Sequence, residues 1–188
     1  MIPYTTERRG DTGVTNVTMG VWLFLASEIM LFGALFSAYA LVRASAVDWP
    51  SGRAVLQASL AWLNTFVLIG CTASAWRARA QDPLRAMGSL AASTFLAFVF
   101  LVVKGAEYRL ELLEGLVPSA SAFLAMYFTL TGLHALHVGA GLIANAWIIA
   151  GTRRVSPALT AGRIRAAALY WAFVDVIWLI ILVLFYLT

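Results

Sequence analysis

The chain has 188 residues, of which 62% are hydrophobic and 12% are charged, and its formal net charge is +4. Because soluble domains carry about 25% charged residues, this composition excludes an ordinary water-soluble domain. The arginines occur in short clusters between apolar segments, a distribution that excludes a nucleic-acid-binding surface and indicates a membrane topology signal.

Five apolar segments follow a polar N-terminal segment, residues 1–17, in chain order. They predict transmembrane spans at about 18–43, 55–77, 86–109, 119–151 and 166–187. Each is longer than the about 20 residues that cross a bilayer core. Turn-forming residues separate them, including Asp82-Pro83 and Ser156-Pro157, and the last loop is expected to extend past Gly162. The sequence therefore predicts a single all-α domain, residues 1–188, built as a polytopic bundle of five transmembrane helices.

The distribution of Lys and Arg predicts the orientation of the bundle. With the N-terminus inside, nine of these residues lie in inner segments and four in outer segments. Cytoplasmic segments are enriched in Lys and Arg, so we expect the N-terminus inside and the C-terminus outside. The inner residues are Arg8, Arg9, Arg77, Arg79, Arg85, Arg153, Arg154, Arg163 and Arg165, and the outer ones are Arg43, Arg53, Lys104 and Arg109.

Few ionisable residues lie deep in the predicted spans, and they are the candidate functional residues. Glu28 lies near the middle of the first span, His134 and His137 in the fourth, and Asp175 in the fifth. A charged acid at a helix centre costs about 2.5–3.5 kcal/mol on insertion scales. Glu28 is therefore either a proton-exchanging or lipid-contacting carboxyl, or a protonated group bonded to a neighbouring helix. Asp175 is expected to make a structural polar contact, with a histidine or a tyrosine.

The two histidines lie three residues apart on one helix and share a face. Two haem ligands must come from opposite sides of the ring, hence from two helices, and the chain has no other histidine. A carboxylate di-metal bundle needs Glu-x-x-His motifs on two helices, which are absent. We therefore expect His134 and His137 to bridge helices by hydrogen bonds, while a mixed metal site with Glu28 stays open. The sequence predicts no catalytic residue, because it has no nucleotide loop, nucleophile triad or thiolate pair.

Small residues recur at four-residue spacing, as in Gly33/Ser37 and Ala135/Gly139. Such pairs let membrane helices approach closely, which predicts a packed bundle.

Four motifs in the chain resemble those of subunit III of haem–copper terminal oxidases, in the order of that family and over nearly the whole chain. The motif around Glu28 resembles the glutamate-bearing helix, and the paired histidines flanked by glycines resemble the most telling motif. The motifs are Trp22-Leu-Phe-Leu-Ala-Ser-Glu28-Ile-Met-Leu-Phe-Gly-Ala-Leu-Phe-Ser-Ala-Tyr39, Lys104-Gly-Ala-Glu107-Tyr108, Thr131-Gly-Leu-His134-Ala-Leu-His137-Val-Gly-Ala-Gly141 and Tyr170-Trp171-Ala-Phe-Val-Asp175-Val-Ile-Trp178. The chain resembles the five-helix prokaryotic form, without the first two helices of the long form. It has Ala172 where the last motif usually carries a histidine.

The resemblance implies a non-catalytic subunit of a respiratory oxidase in a bacterial plasma membrane. It implies haem and copper in partner subunits, contact with subunit I and with subunit II, and support of proton uptake. It also implies a structural polar contact by Glu107, reaction of Glu28 with hydrophobic carbodiimides, and bound phospholipid. Arg153 and Arg154 are lipid-phosphate candidates or ordinary membrane anchors.

Three alternatives to a cytochrome c oxidase subunit remain open at this point. A quinol can replace cytochrome c as electron donor, since donor sites lie on other subunits. The complex can instead be a nitric oxide reductase with an accessory chain. A small independent transporter can use Glu28 and Asp175 as a proton relay, although an odd helix number without an inverted repeat is unfavourable.

Overall fold

A computed structural model of the chain describes residues 7, 9–11 and 13–187, and only the backbone of Arg53. Arg8 and the Arg53 side chain, both used to predict the orientation, lie outside the described residues. The described residues form helices without any strand: α1 (Asn16–Ser45), α2 (Gly52–Val55), α3 (Ala58–Arg79), α4 (Pro83–Leu113), α5 (Ala122–Gly151), a 3-10 helix (Thr152–Arg154) and α6 (Pro157–Tyr186).

Five of these helices, α1, α3, α4, α5 and α6, are long and apolar enough to cross a membrane. Helices satisfy their own backbone hydrogen bonds, which hydrocarbon cannot do, so long apolar helices are the stable form of such segments in lipid. The prediction of an all-α bundle with five membrane-spanning helices is confirmed.

Helix α6 begins at Pro157, well before the predicted start near 166. Ser156 caps it by accepting a hydrogen bond from the Leu159 backbone amide, and Pro157 occupies a first-turn position where its missing N–H costs nothing. The first turns of α6 were predicted as a loop because they carry the charged residues Arg163 and Arg165. The connection between α5 and α6 is therefore short, and Gly162 lies within the helix.

The interior lies between α3, α4, α5 and α6, which pack in the sequence α4–α3–α6–α5 with α4 also against α5. Its largest buried side chains are aromatic, among them Trp171, Trp178 and Tyr127. Helix α1 packs mainly on α6 and less extensively on α5. Most of its apolar side chains are exposed and available to lipid or to another protein: Trp22, Leu23, Phe24, Ile29, Met30, Leu31 and Leu41.

The short helix α2, which the sequence did not predict, rests against the C-terminal end of α6. A Cβ atom on Gly52 would overlap the backbone carbonyl oxygen of Phe185, so only glycine fits at this contact. The Trp49 ring lies edge-on to Tyr39 at 5.5 Å and to Phe123 at 5.4 Å between ring centroids. The connection between α1 and α3 thus covers one end of the bundle.

Candidate functional site

A carboxyl–imidazole pair joins α1 to α5. The Glu28 Oε2 atom lies 2.8 Å from the His137 Nε2 atom, and both side chains are 14% exposed. Glu28 lies between Leu25 and Phe32, which are buried on α1. Residues three and four apart share a helix face, so the apolar stripe that docks α1 also turns the carboxyl inward.

The hydrogen-bond partners of His137 fix how many protons this pair holds. The His137 Nδ1 atom lies 2.8 Å from the backbone carbonyl oxygen of Leu133. Since a carbonyl only accepts, Nδ1 carries the hydrogen. The contact between Nε2 and Oε2 then holds one further proton, either on Glu28 or on the imidazole. Both arrangements have zero net charge, which explains how an acid is tolerated in a membrane span.

Aromatic side chains enclose this pair. The Phe32 ring lies edge-on to the His137 ring with centroids 5.1 Å apart. The Tyr170 hydroxyl of α6 donates to the His137 carbonyl oxygen at 2.7 Å, and Phe24 of α1 lies 6.1 Å from the Tyr170 ring. Three helices therefore meet at the Glu28–His137 pair.

His134, the other histidine of the motif, lies in a different environment. It is 1% exposed, stacks on Trp178 with centroids 5.3 Å apart, and lies edge-on to Phe100 at 5.6 Å. Neither of its ring nitrogens has a hydrogen-bond partner among the described residues. The two histidines therefore do not act on one ligand. In the described part of the chain no group of three or more His, Cys, Asp or Glu side chains is arranged to hold a metal ion.

Asp175 lies on α6 at the contact with α3. Its polar neighbour is Thr72 of α3, instead of the histidine or tyrosine expected from the sequence, and its Oδ1 atom has no partner within the described residues. Cys71 is buried beside Ser93, with its Sγ atom 3.3 Å from the Ser93 carbonyl oxygen. Glu28 lies where α1 meets α5, and Asp175 lies where α6 meets α3. The two acids of the hypothetical proton relay therefore belong to different helix contacts.

A second polar cluster lies near the C-terminal ends of α4 and α6. Lys104 and Glu107 of α4, 2% and 0% exposed, form an ion pair with 3.1 Å between Nζ and Oε2. The ammonium also donates to the hydroxyls of Tyr127 at 2.8 Å and Tyr186 at 2.7 Å. The Tyr186 hydroxyl donates to Glu107 Oε1. The Tyr127 hydroxyl of α5 donates to the same oxygen at 3.1 Å, so Glu107 makes polar contacts to both α5 and α6.

Sequence reasoning missed most of this cluster, which we call the Lys104 cluster: Lys104, Glu107, Glu111, Tyr127 and Tyr186. The sequence count placed Lys104 among the outer cations without predicting its burial. It lies inside the bundle with its ammonium 4.8–5.7 Å from the ring centroids of Tyr108, Tyr127, Trp178 and Tyr186. The available signal was spacing, since positions 104, 107 and 111 share one face of a helix.

Arg153 and Arg154 lie exposed in the 3-10 helix that follows α5. Nearby, a groove between α1, α5 and α6 has an almost entirely apolar lining. The Arg163 guanidinium lies over the Trp147 ring, 4.1 Å from its centroid, at this groove. This end of the bundle therefore combines exposed cations with a long apolar groove.

The fold and these two clusters define a class: a polytopic helical membrane protein whose buried acids lie at contacts between helices and whose described residues form no metal-ligand group. The family model for cytochrome c oxidase subunit III matches residues 8–188, and the chain belongs to this family. The resemblance found in the sequence motifs is thereby confirmed.

Curated relatives carry names of two kinds of oxidase. The chain is 31% identical to a heme-copper oxidase subunit I+III of Aeropyrum pernix, with 92% of this chain covered but only 23% of that longer protein. It is 30% identical to a cytochrome bo(3) ubiquinol oxidase subunit 3 of Pseudomonas aeruginosa, covering 92% of this chain and 85% of the relative. It is 28% identical to a cytochrome c oxidase subunit 3 of Bacillus sp. strain PS3, covering 98% and 92%.

Proposed function

We propose that this chain is the non-catalytic third subunit of a respiratory oxidase, where it packs beside catalytic subunit I and contacts subunit II. Its role there is to stabilise the catalytic subunit and to sustain proton uptake during reduction of oxygen. Family membership supports this proposal, and so does the Aeropyrum relative, whose name joins subunits I and III in one chain. The exposed apolar face of α1 offers a surface for such a partner.

The Glu28–His137 pair is the observation that carries the proposed role in proton uptake. It holds one exchangeable proton within a membrane span, at a distance of 2.8 Å between Oε2 and Nε2. When that proton leaves, the pair carries one negative charge, and its return restores the neutral state that a membrane span favours. We propose that Glu28 is the proton-exchanging carboxyl of this subunit.

We propose that haem and copper belong to the partner subunits. The two histidines of this chain suit structural roles better than ligation, since His137 is bonded on both ring nitrogens and His134 is enclosed by Trp178 and Phe100. We further propose cytochrome c as electron donor, after the family description. Ubiquinol, which appears in the name of the Pseudomonas relative, is the alternative donor. An assay of the oxidation of reduced cytochrome c and of ubiquinol distinguishes the two.

Phospholipid binding is proposed at the end of the bundle that carries Arg153 and Arg154. Both arginines are exposed, and the groove beside Arg163 is apolar enough for an acyl chain. Guanidinium groups bind phosphates through paired hydrogen bonds.

The proposed location is a bacterial plasma membrane, with the N-terminus inside. Burial of Lys104 supports this orientation. The orientation rule counts Lys and Arg in the segments outside the membrane, and a lysine buried inside the bundle is not one of them. The predicted outer segments then carry fewer cations than the sequence count assigned to them.

Purification of the tagged chain in mild detergent tests the proposal. Expected results are co-purification of a haem-containing catalytic subunit, oxygen consumption with reduced cytochrome c, and earlier inactivation during turnover when this chain is removed. Consumption of nitric oxide without oxygen would identify a nitric oxide reductase instead. Proton-coupled transport by the chain alone in liposomes would support the transporter hypothesis against the oxidase.

A further inference from the structure

The Lys104 cluster contains a carboxyl that the proposed oxidase role does not use. Glu111 lies on α4 near its end at Leu113 and is 1% exposed. Its Oε1 atom lies 2.7 Å from the Tyr127 hydroxyl, and its Oε2 atom has no hydrogen-bond partner among the described residues. A buried carboxylate oxygen without a hydrogen-bond partner is unfavourable, so another interaction or a bound proton must offset its cost.

The charges of the cluster do not balance if both acids are ionised. Lys104 supplies one ammonium, while Glu107 and Glu111 supply two carboxyls, all at most 2% exposed. Lys104 forms its ion pair with Glu107, and Glu111 forms no salt bridge within the described residues. A buried and unpaired negative charge is strongly disfavoured, so one acid must bind a cation or a proton.

The hydrogen bonds of Tyr127 also require an added proton, for a reason that does not depend on charge. Its hydroxyl has the Lys104 ammonium at 2.8 Å, Glu107 Oε1 at 3.1 Å and Glu111 Oε1 at 2.7 Å. The Tyr186 hydroxyl also lies 2.9 Å away, but its hydrogen is donated to Glu107 Oε1, so it offers Tyr127 none. A hydroxyl donates once and accepts twice. It accepts from Lys104, and with two ionised carboxylates its one hydrogen serves only one of them. The Tyr127 oxygen and the oxygen of the other carboxylate would then lie in contact without a hydrogen between them.

One added proton balances the charge of the cluster and supplies the hydrogen that is missing between Tyr127 and one of the carboxyls. We propose that Glu111 is a buried proton-binding site, carrying a hydrogen on Oε1 that it donates to the Tyr127 hydroxyl. Tyr127 then accepts from Lys104 and from Glu111 and donates to Glu107. The cluster holds one positive and one negative charge, and each short contact of Tyr127 to Lys104, Glu107 and Glu111 contains one hydrogen.

The groups that face this site come from three helices. Helix α4 contributes Lys104 and Glu107, with Glu114 directly after it, α5 contributes Tyr127, and α6 contributes Tyr186. Glu114 is exposed and directly follows the end of α4, whereas Glu111 is buried. We expect the proton to exchange at this end of the bundle, where Glu114 is exposed, and not with the Glu28–His137 pair on α1 and α5.

Infrared spectroscopy of the purified complex that contains this chain tests the site. A protonated carboxyl has a C=O stretching band that is separate from carboxylate bands and moves in D2O. The spectrum of Glu111→Gln is expected to lack one such band per complex. Glu114→Gln is the matched control, since it removes an exposed acid three residues away and is expected to keep the band.

Three outcomes would overturn the proposal. One is a Glu111→Gln spectrum with every protonated-carboxyl band of the unmodified complex. The second is loss of the band in Glu107→Gln and not in Glu111→Gln. The third is failure of Glu111→Gln to assemble while Glu114→Gln assembles, because a glutamine is neutral and can donate to Tyr127 as the protonated acid does.

Discussion

The Glu28 carboxyl and the His137 imidazole are 109 residues apart in the chain and 2.8 Å apart in space. Their contact crosses the boundary between α1 and the rest of the bundle, where the packing is least extensive. It therefore has two effects: it gives α1 a specific polar attachment, and it keeps a proton at a defined depth in the span.

Glu28→Gln is expected to abolish labelling of this subunit by a hydrophobic carbodiimide. Such a reagent dissolves in lipid and reaches a carboxyl that is 14% exposed at the surface of a span, and an amide does not react. Labelling is measured on the intact complex by mass spectrometry. Glu114→Gln removes an acid at the end of α4 and should leave labelling unchanged. Full labelling of Glu28→Gln would show that another carboxyl reacts.

Gly141→Ala is expected to destabilise the contact between α5 and α6. A Cβ atom at this position would lie 2.8 Å from atoms of both Tyr170 and Trp171. Overpacking of this kind costs about 1–3 kcal/mol. Gly139→Ala is the control on the same helix, because nothing lies within 4 Å of its Cβ position. The thermal midpoint of the detergent-solubilised complex should fall for the first variant only.

Gly52→Ala is expected to displace α2 from the end of α6, since the added methyl group overlaps the Phe185 carbonyl. Protease cleavage between α1 and α3 should become faster. In Gly33→Ala the new methyl group meets nothing within 4 Å, and helix propensity favours alanine by up to about 1 kcal/mol. Equal cleavage of both variants would contradict the close contact at Gly52.

Lys104→Met is expected to reduce assembly of the chain into membranes. It leaves the Glu107 carboxylate buried without its cation, a loss of about 3–5 kcal/mol for broken buried ion pairs. Adding Glu107→Gln removes the unpaired charge and should restore part of the assembled protein. Quantitative immunodetection in membranes measures both variants. A double variant no better than Lys104→Met would show that the ammonium acts through its tyrosine contacts.

The number and order of the spans could be predicted because length and apolarity suffice to identify a membrane helix. The start of α6 could not, because the turns that carry Arg163 and Arg165 have the composition of a loop. Small-residue spacing was a poor guide to close packing. Gly33 and Gly139 have free space around them, whereas Gly141 lies against two aromatic rings.

Glu28 and His137 were each predicted as important, but not as a pair. Sequence gives the face of a helix on which a residue lies, and it does not say which faces meet across 109 residues. The burial of Lys104 was not predicted, for a related reason. A lysine near a helix end ordinarily reaches water, and only the positions of Tyr127 and Tyr186 on two other helices show that it is buried.

The Lys104 cluster also constrains the order of biogenesis. Its members come from α4, α5 and the last residue of α6, Tyr186. Until α6 has left the translocation machinery and docked, the Lys104 ammonium and the Glu107 carboxylate lack one of their tyrosine partners. We therefore expect a chain that stops before Tyr186 to leave this buried ion pair incompletely hydrogen-bonded, and to be less stable in the membrane than the finished subunit.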